Sequence, residues 1–132
     1  APVGTRVFSA STAQAVRRML ETVVGEDGTA PQAAITGYRV AGKTGTAQKI
    51  GDKGYSQDRH VAVFAGMAPA SDPRLVLVVM IDEPRGKEYY GGAVAGPVFA
   101  QVMTQALRLL NVAPDDPAVA PGLLFATAEI EQ

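Results

Sequence analysis

Apolar positions recur along this chain in two rhythms, one helical and one strand-like, and their order predicts the elements. Between residues 10 and 24, Ala13, Val16, Met19, Leu20 and Val23 return at three- and four-residue steps, which draws one apolar stripe down a helix. Arg17, Arg18 and Glu21 fall largely off that stripe, and Ser9 or Ser11 can cap its amino end. Gly25-Glu-Asp-Gly-Thr-Ala-Pro31 ends the helix with turn chemistry. Residues 38–48 alternate bulky and small side chains and read as a strand. His60–Pro69 alternates and then runs apolar, a second strand. Arg74–Asp82 (RLVLVVMID) is apolar almost without a break, which predicts a third strand, central and buried on both faces. Helical spacing resumes near Gly96, with Pro97 suited to the first turn. Val98, Val102 and Leu109, with Phe99, Met103, Ala106 and Leu110, make its broad apolar face. Asn111 can end that helix, and Pro114 cannot continue it.

The connections decide how these elements meet. Ile50–Arg59 is polar and glycine-rich, a hairpin with its tip near Asp52–Gly54, and Ala70-Ser-Asp-Pro73 is a compact turn. Both are too short for parallel crossovers, so the strands form an antiparallel meander. The fold class is therefore α+β, a three-stranded antiparallel sheet packed with helices. Residues 1–8 are expected to be extended, since Pro2 and Gly4 oppose a helix. The predicted elements lie within residues 1–112, which are expected to be the carboxy-terminal portion of a larger domain. A tail over 113–132, with Pro114, Pro117 and Pro121, is expected to be poorly ordered, although Leu123, Leu124 and Phe125 could dock. Two apolar helices and a doubly buried strand need more cover than 132 residues supply, so this unit is expected to be part of a larger domain.

Composition narrows the function classes. With 47% hydrophobic and 19% charged residues, the chain belongs among globular proteins. A net charge of −1 argues against a general nucleic-acid binder. There are no cysteines, which excludes disulfides and thiolate metal sites, and a single histidine, His60, leaves little scope for a histidine-based metal centre. No apolar run reaches the roughly 18 residues of a membrane span. The opening Ala-Pro-Val-Gly-Thr lacks an initiator Met and a signal-peptide pattern, as in a piece of a longer chain.

The chemistry concentrates in Gly37-Tyr-Arg-Val-Ala-Gly-Lys-Thr-Gly-Thr-Ala-Gln-Lys49. Gly42 and Gly45 offer no side chain to a core, so the strand suits close approach by a backbone or a ligand. Residues 37–44 match the letters of a phosphate-binding P-loop, but that loop opens a helix, and Gly45-Thr-Ala-Gln-Lys-Ile-Gly starts none. Lys43 as a solvated edge-strand lysine is the commoner reading of any one lysine, yet it leaves the flanking small and hydroxylic residues unexplained. Because side chains alternate, Thr44 and Thr46 share one face, with Lys43 and Gly45 on the other. Two hydroxyls so placed can grip one carboxylate.

Lys43-Thr44-Gly45-Thr46 resembles the K-T-G element of penicillin-binding proteins and serine β-lactamases. The order of helix, KTGTA strand, long hairpin, FAGMAP strand, LVLVVMIDEP strand, YYGG and a PVFxxVM helix is similar to the carboxy-terminal part of a class B penicillin-binding protein transpeptidase domain, of the septal cell-division type. The likeness covers about residues 5–112, and serine β-lactamases share its first element but not the downstream run. It implies a penicillin-binding protein/serine β-lactamase-like fold. It also implies a D,D-transpeptidase that cross-links peptidoglycan stem peptides through a serine acyl-enzyme and is inhibited by β-lactams.

The same resemblance implies roles. The substrate would lie antiparallel along the strand, with Gly45 leaving room for it. Thr44 and Thr46 would clamp its carboxylate. The backbone N–H of Thr46 would be an oxyanion-hole donor, and Lys43 would supply charge to the proton-transfer network. Tyr89 and Tyr90 match an aromatic wall, although ordinary loop aromatics fit their residue type equally well. Gln48, near the same strand end, is expected to be a rim contact, and His60, where some relatives place another aromatic, is expected to be a solvated histidine at a strand start. No metal or cofactor is expected. The implied setting is the periplasmic face of a Gram-negative inner membrane, reached through an upstream transmembrane anchor, with divisome proteins as partners. One departure matters: no serine among Ser9, Ser11, Ser56 and Ser71 has lysine three residues on or asparagine two residues on. The family's S-x-x-K and S-x-N motifs are therefore missing, the nucleophile is expected upstream, and this chain alone is expected to be inactive. The competing expectations are a module that binds a peptide or partner without chemistry, and a β-lactamase-type hydrolase.

Overall fold

In the computed structural model, which describes residues 4–51 and 54–118, Ser9 starts the first helix. Its Oγ accepts the Thr12 N–H at 3.1 Å, filling one of the orphan amides of α1 (Ala10–Glu21). The chain tightens into a 3-10 turn over Thr22–Val24, and another 3-10 turn follows at Pro31–Ala33, with Pro31 at its start. Three strands come next: β1 (Ala41–Gly51), β2 (Gly54–Ala68) and β3 (Leu75–Asp82). They pair antiparallel in the order β1-β2-β3. A short helix α2 (Gly91–Val94) leads into α3 (Gly96–Leu109). Asn111 ends α3 with φ 50°, the left-handed residue that a helix stop calls for.

The sheet corrects one expectation. The middle strand is β2, and β3 is an outer strand. Leu75, Leu77, Val79 and Ile81 pack against the core, whereas Val76, Val78 and Met80 are 70%, 60% and 67% exposed. Uninterrupted apolarity signals cover on both faces, and the described residues supply cover for only one. The stripe on α1 shows the same shortfall, since that helix buries no residue fully and Met19 is 68% exposed.

The core lies between the covered sheet face and α3. Phe64 and Phe99 meet edge to face, 4.8 Å between centroids at 67°. Glycines make room for them: a Cβ on Gly66 would lie 2.8 Å from the Phe99 ring, and one on Gly42 would lie 2.5 Å from the Phe64 ring. The close approach expected over Gly42 is thus made by a core ring, while Gly45 has only Val63 nearby, at 3.7 Å.

β1 starts three residues later than expected, because Ile35 and Tyr38 close a tight turn in which Gly37 takes φ 85°. It also runs further, pairing Ile50 with Tyr55 and Gly51 with Gly54 after an irregularity between Gln48 and Ile50. Asp52 and Lys53, in the expected hairpin tip, lie outside the described residues. Of the expected tail, residues 113–116 fold back on the entry to β1. The Asp115 carboxylate accepts the Arg39 N–H at 2.7 Å and the Ser71 N–H at 3.0 Å, and the Asp115 and Asp116 amides both donate to the Gly37 carbonyl. Tyr38 Oη donates to the Val112 carbonyl at 2.6 Å. Residues 119–132, Leu123 to Phe125 among them, lie outside the described residues. On the other side, the Arg39 guanidinium forks onto Glu21 of α1, both nitrogens at 2.9 Å.

Candidate functional site: the outer strand β1

β1 forms one border of the described sheet, so alternate N–H and C=O groups along its outer edge have no strand partner among the described residues. The register divides its side chains. Thr44 lies opposite Phe64 and Thr46 opposite Ala62, on the core-side face, while Lys43 and Gly45 lie opposite Ala65 and Val63 on the open face. Thr44 and Thr46 therefore line the same depression, about 470 Å³, together with Thr29, Tyr90, Gly91 and Gly92. The strand continues through Gly45–Gly51, so no helix amino end stands behind Thr44 and a P-loop is excluded.

Each hydroxyl in this depression has a defined neighbour. Thr46 Oγ1 accepts the Gly91 N–H at 3.1 Å, and Thr44 Oγ1 lies 3.2 Å from Thr29 Oγ1. Gly91 and Gly92 have to be glycine here. A Cβ on Gly91 would lie 2.2 Å from the Val63 carbonyl oxygen, and one on Gly92 would lie 2.0 Å from that of Thr29. The YYGG segment is thereby pressed, backbone to backbone, against both the sheet and the turn that carries Thr29.

Lys43 stands apart, exposed, with its Nζ donating to the Thr44 carbonyl at 2.7 Å. Gln48 is exposed further along β1, opposite His60. His60 is half-buried and stacks on Tyr89, 4.2 Å between centroids, which corrects the expectation of a solvated histidine. Tyr89 in turn stacks on Tyr90 at 4.5 Å, so the three rings form one continuous ladder. The Tyr89 hydroxyl donates to that of Tyr90 at 3.3 Å, and this bond raises the Tyr89 phenol above its ordinary value of 10.0. Lys49 donates to Glu83 at 2.8 Å and to Asp82 at 2.9 Å; these bonds, Glu83 first, hold its ammonium above the ordinary 10.5.

The structure thus gathers Thr44, Thr46 and Tyr90 at one depression, with Tyr89 and His60 adjoining, and sets Lys43 and Gln48 on exposed positions of the same strand. Sequence reasoning missed Thr29, Gly91 and Gly92 as site-forming residues. Thr29 was legible only as turn chemistry, because its contact with Thr44 spans 15 residues. Among the described residues no cluster of three His, Asp or Glu could hold a metal, and no helix is long and apolar enough to cross a membrane. A wider cleft of about 960 Å³, lined by Phe8, Val16, Leu20 and Met67 among others, lies between α1 and the open sheet face.

Comparison with known proteins joins this geometry to a family. The profile described as "Penicillin binding protein transpeptidase domain" matches residues 1–104. The chain is 47% identical over 117 residues to the "Probable peptidoglycan D,D-transpeptidase PenA" of Neisseria flavescens, covering 89% of this chain and 29% of that protein. It is 48% identical over 112 residues to the "Peptidoglycan D,D-transpeptidase FtsI" of Escherichia coli K12, covering 85% of this chain and 19% of that one. Among solved structures, the apo TP domain of Burkholderia pseudomallei penicillin-binding protein 3 superposes with a TM-score of 0.79 at 51% identity, covering 88% of this chain and 35% of that chain. The chain spans less than a third of the length of the curated relatives it matches.

Proposed function

The chain belongs to the penicillin-binding protein transpeptidase domain family, and from that premise we propose that it forms one wall of the acyl-transfer site of a peptidoglycan D,D-transpeptidase. In this reading a serine outside these 132 residues attacks the stem-peptide carbonyl. The new bond is serine oxygen to carbon, the bond that breaks is carbon to the leaving amine, and the amine departs with a proton. A β-lactam enters by the same route, its ring nitrogen taking the proton while the opened ring stays attached.

Several roles fall to this chain. The free edge of β1 takes the extended substrate as an added strand, with Gly45 clearing the way. The Thr46 N–H donates to the oxyanion of the tetrahedral intermediate. Thr44 and Thr46 donate their hydroxyl protons to the ligand's carboxylate, Lys43 supplies positive charge to the proton-transfer network, and Gln48 contacts the rim. Tyr89 and Tyr90 form an apolar wall, which His60 extends. The observation that carries the proposal is the convergence of Thr44 and Thr46 on one depression against the YYGG backbone. The exposed apolar faces of β3 and α1 are covered, in this reading, by the rest of the transpeptidase domain. Residues 1–112 belong to that domain and 113–132 follow it. The whole protein works in septal wall synthesis on the periplasmic face of the inner membrane, anchored upstream and partnered by divisome proteins.

The test is labelling of the full-length protein with a fluorescent penicillin. A stable covalent label supports the reading. Correctly folded protein that stays unlabelled points instead to a module that only binds, and rapid loss of the label by hydrolysis points to a β-lactamase-type hydrolase.

A further inference from the structure

The geometry points to Thr29 as a positioning residue of the carboxylate clamp, an assignment that rests on the acyl-transfer reading above. A hydroxyl has one proton to give and lone pairs to receive. Thr46 receives the Gly91 N–H at 3.1 Å, which occupies an acceptor position and leaves its own proton for a ligand. Among the described residues, no backbone amide stands in the corresponding place at Thr44. Its neighbour is the Thr29 hydroxyl at 3.2 Å. With Thr29 donating to Thr44, the Thr44 proton turns towards the ligand as the Thr46 proton does. Thr29 is to Thr44 what the Gly91 amide is to Thr46.

The turn that carries Thr29 is built to hold it there. The Gly28 N–H bonds the Gly25 carbonyl and the Ala30 N–H bonds the Val23 carbonyl, both at 2.9 Å. A Cβ on Gly28 would lie 2.3 Å from the Val23 carbonyl oxygen, and Gly92 lies against the Thr29 carbonyl, so neither backbone can shift freely. Thr29 itself is exposed and carries no packing duty that would fix its residue type. Its hydroxyl is therefore free to serve the anion, and the ligand feature it serves is a carboxylate next to the reacting carbonyl.

The test compares acylation of the full-length protein by benzylpenicillin and by its methyl ester, which lacks the anion. Thr29→Val keeps the shape and removes the hydroxyl, and Thr29→Ser restores it. The expected result is that Thr29→Val slows acylation by benzylpenicillin about tenfold, through weaker initial binding rather than a slower chemical step. The methyl ester should react with both proteins alike, Thr29→Ser should behave as wild type, and melting temperatures should agree. Equal slowing with acid and ester, or no slowing with either, overturns the role of Thr29 while leaving the transpeptidase reading intact. Wild-type protein that reacts with neither overturns both.

Discussion

In the proposed site Thr46 has two duties, and its substitution has to be read with care. Thr46→Val removes a donor from the proposed clamp, but it also strips the part-buried Gly91 N–H of its acceptor, a loss of about 1–3 kcal/mol. Thr46→Val is therefore expected to lower both β-lactam affinity and melting temperature, whereas Thr46→Ser should preserve both. Lys43 makes the opposite case. It is exposed and, among the described residues, bonds only the adjoining carbonyl, so Lys43→Ala should cut acylation of the full-length protein at least a hundredfold while leaving the thermal unfolding curve in place. An unchanged acylation rate would remove Lys43 from the proton-transfer network. Tyr89 gives a prediction in pH. Its phenol is raised by the bond to Tyr90, so that bond stabilises the fold fully below the ordinary value of 10.0 and is lost as pH rises through the higher folded value. Tyr90→Phe should bring the Tyr89 transition back towards 10.0, as followed by the ring carbon shifts in NMR. Thr44 and Thr46 were legible as a pair because strand alternation alone puts them on one face. Thr29, Gly91 and the His60–Tyr89 stack were not, since each depends on a contact between distant segments.

Element boundaries followed local chemistry where local chemistry was sufficient. Ser9 caps α1, Asn111 stops α3, and the short connections give the antiparallel meander. The position of β3 in the sheet did not follow, because an apolar run reports how much cover a strand requires and not which chain provides it. Nor did the fold-back of residues 113–116, where one proline and two acids suggest disorder, although Asp115 accepts two backbone amides. Those amides belong to the entry of β1 and to the turn before β3, so Asp115→Ala should destabilise the fold by about 2 kcal/mol in chemical denaturation. The glycines at the start of α2 are equally specific. Gly92→Ala would drive a methyl group into the Thr29 carbonyl, and it is expected to reduce acylation by displacing the Thr29 turn even where the protein still folds.

Among the described residues, the fold has one finished face and one open one. Phe64, Phe99, Met103 and Leu107 close the core between the sheet and α3, and Phe64→Ala should cost about 3–5 kcal/mol. Val76, Val78, Met80 and Met19 on the opposite side are exposed, and the free edge of β1 runs beside Thr44 and Thr46. A wall of this kind can bind and orient a carboxylate and an acyl group, but it holds no serine in an S-x-x-K setting. The proposed labour is therefore divided: clamp, charge and oxyanion donor here, nucleophile outside these 132 residues. Intact-mass and peptide-mapping spectrometry after incubation with benzylpenicillin tests it most directly. One penicilloyl adduct is expected on the full-length protein, on a serine outside residues 1–132, and none on the 132-residue chain alone. An adduct on Ser9, Ser11, Ser56 or Ser71, or none on the correctly folded full-length protein, would contradict it.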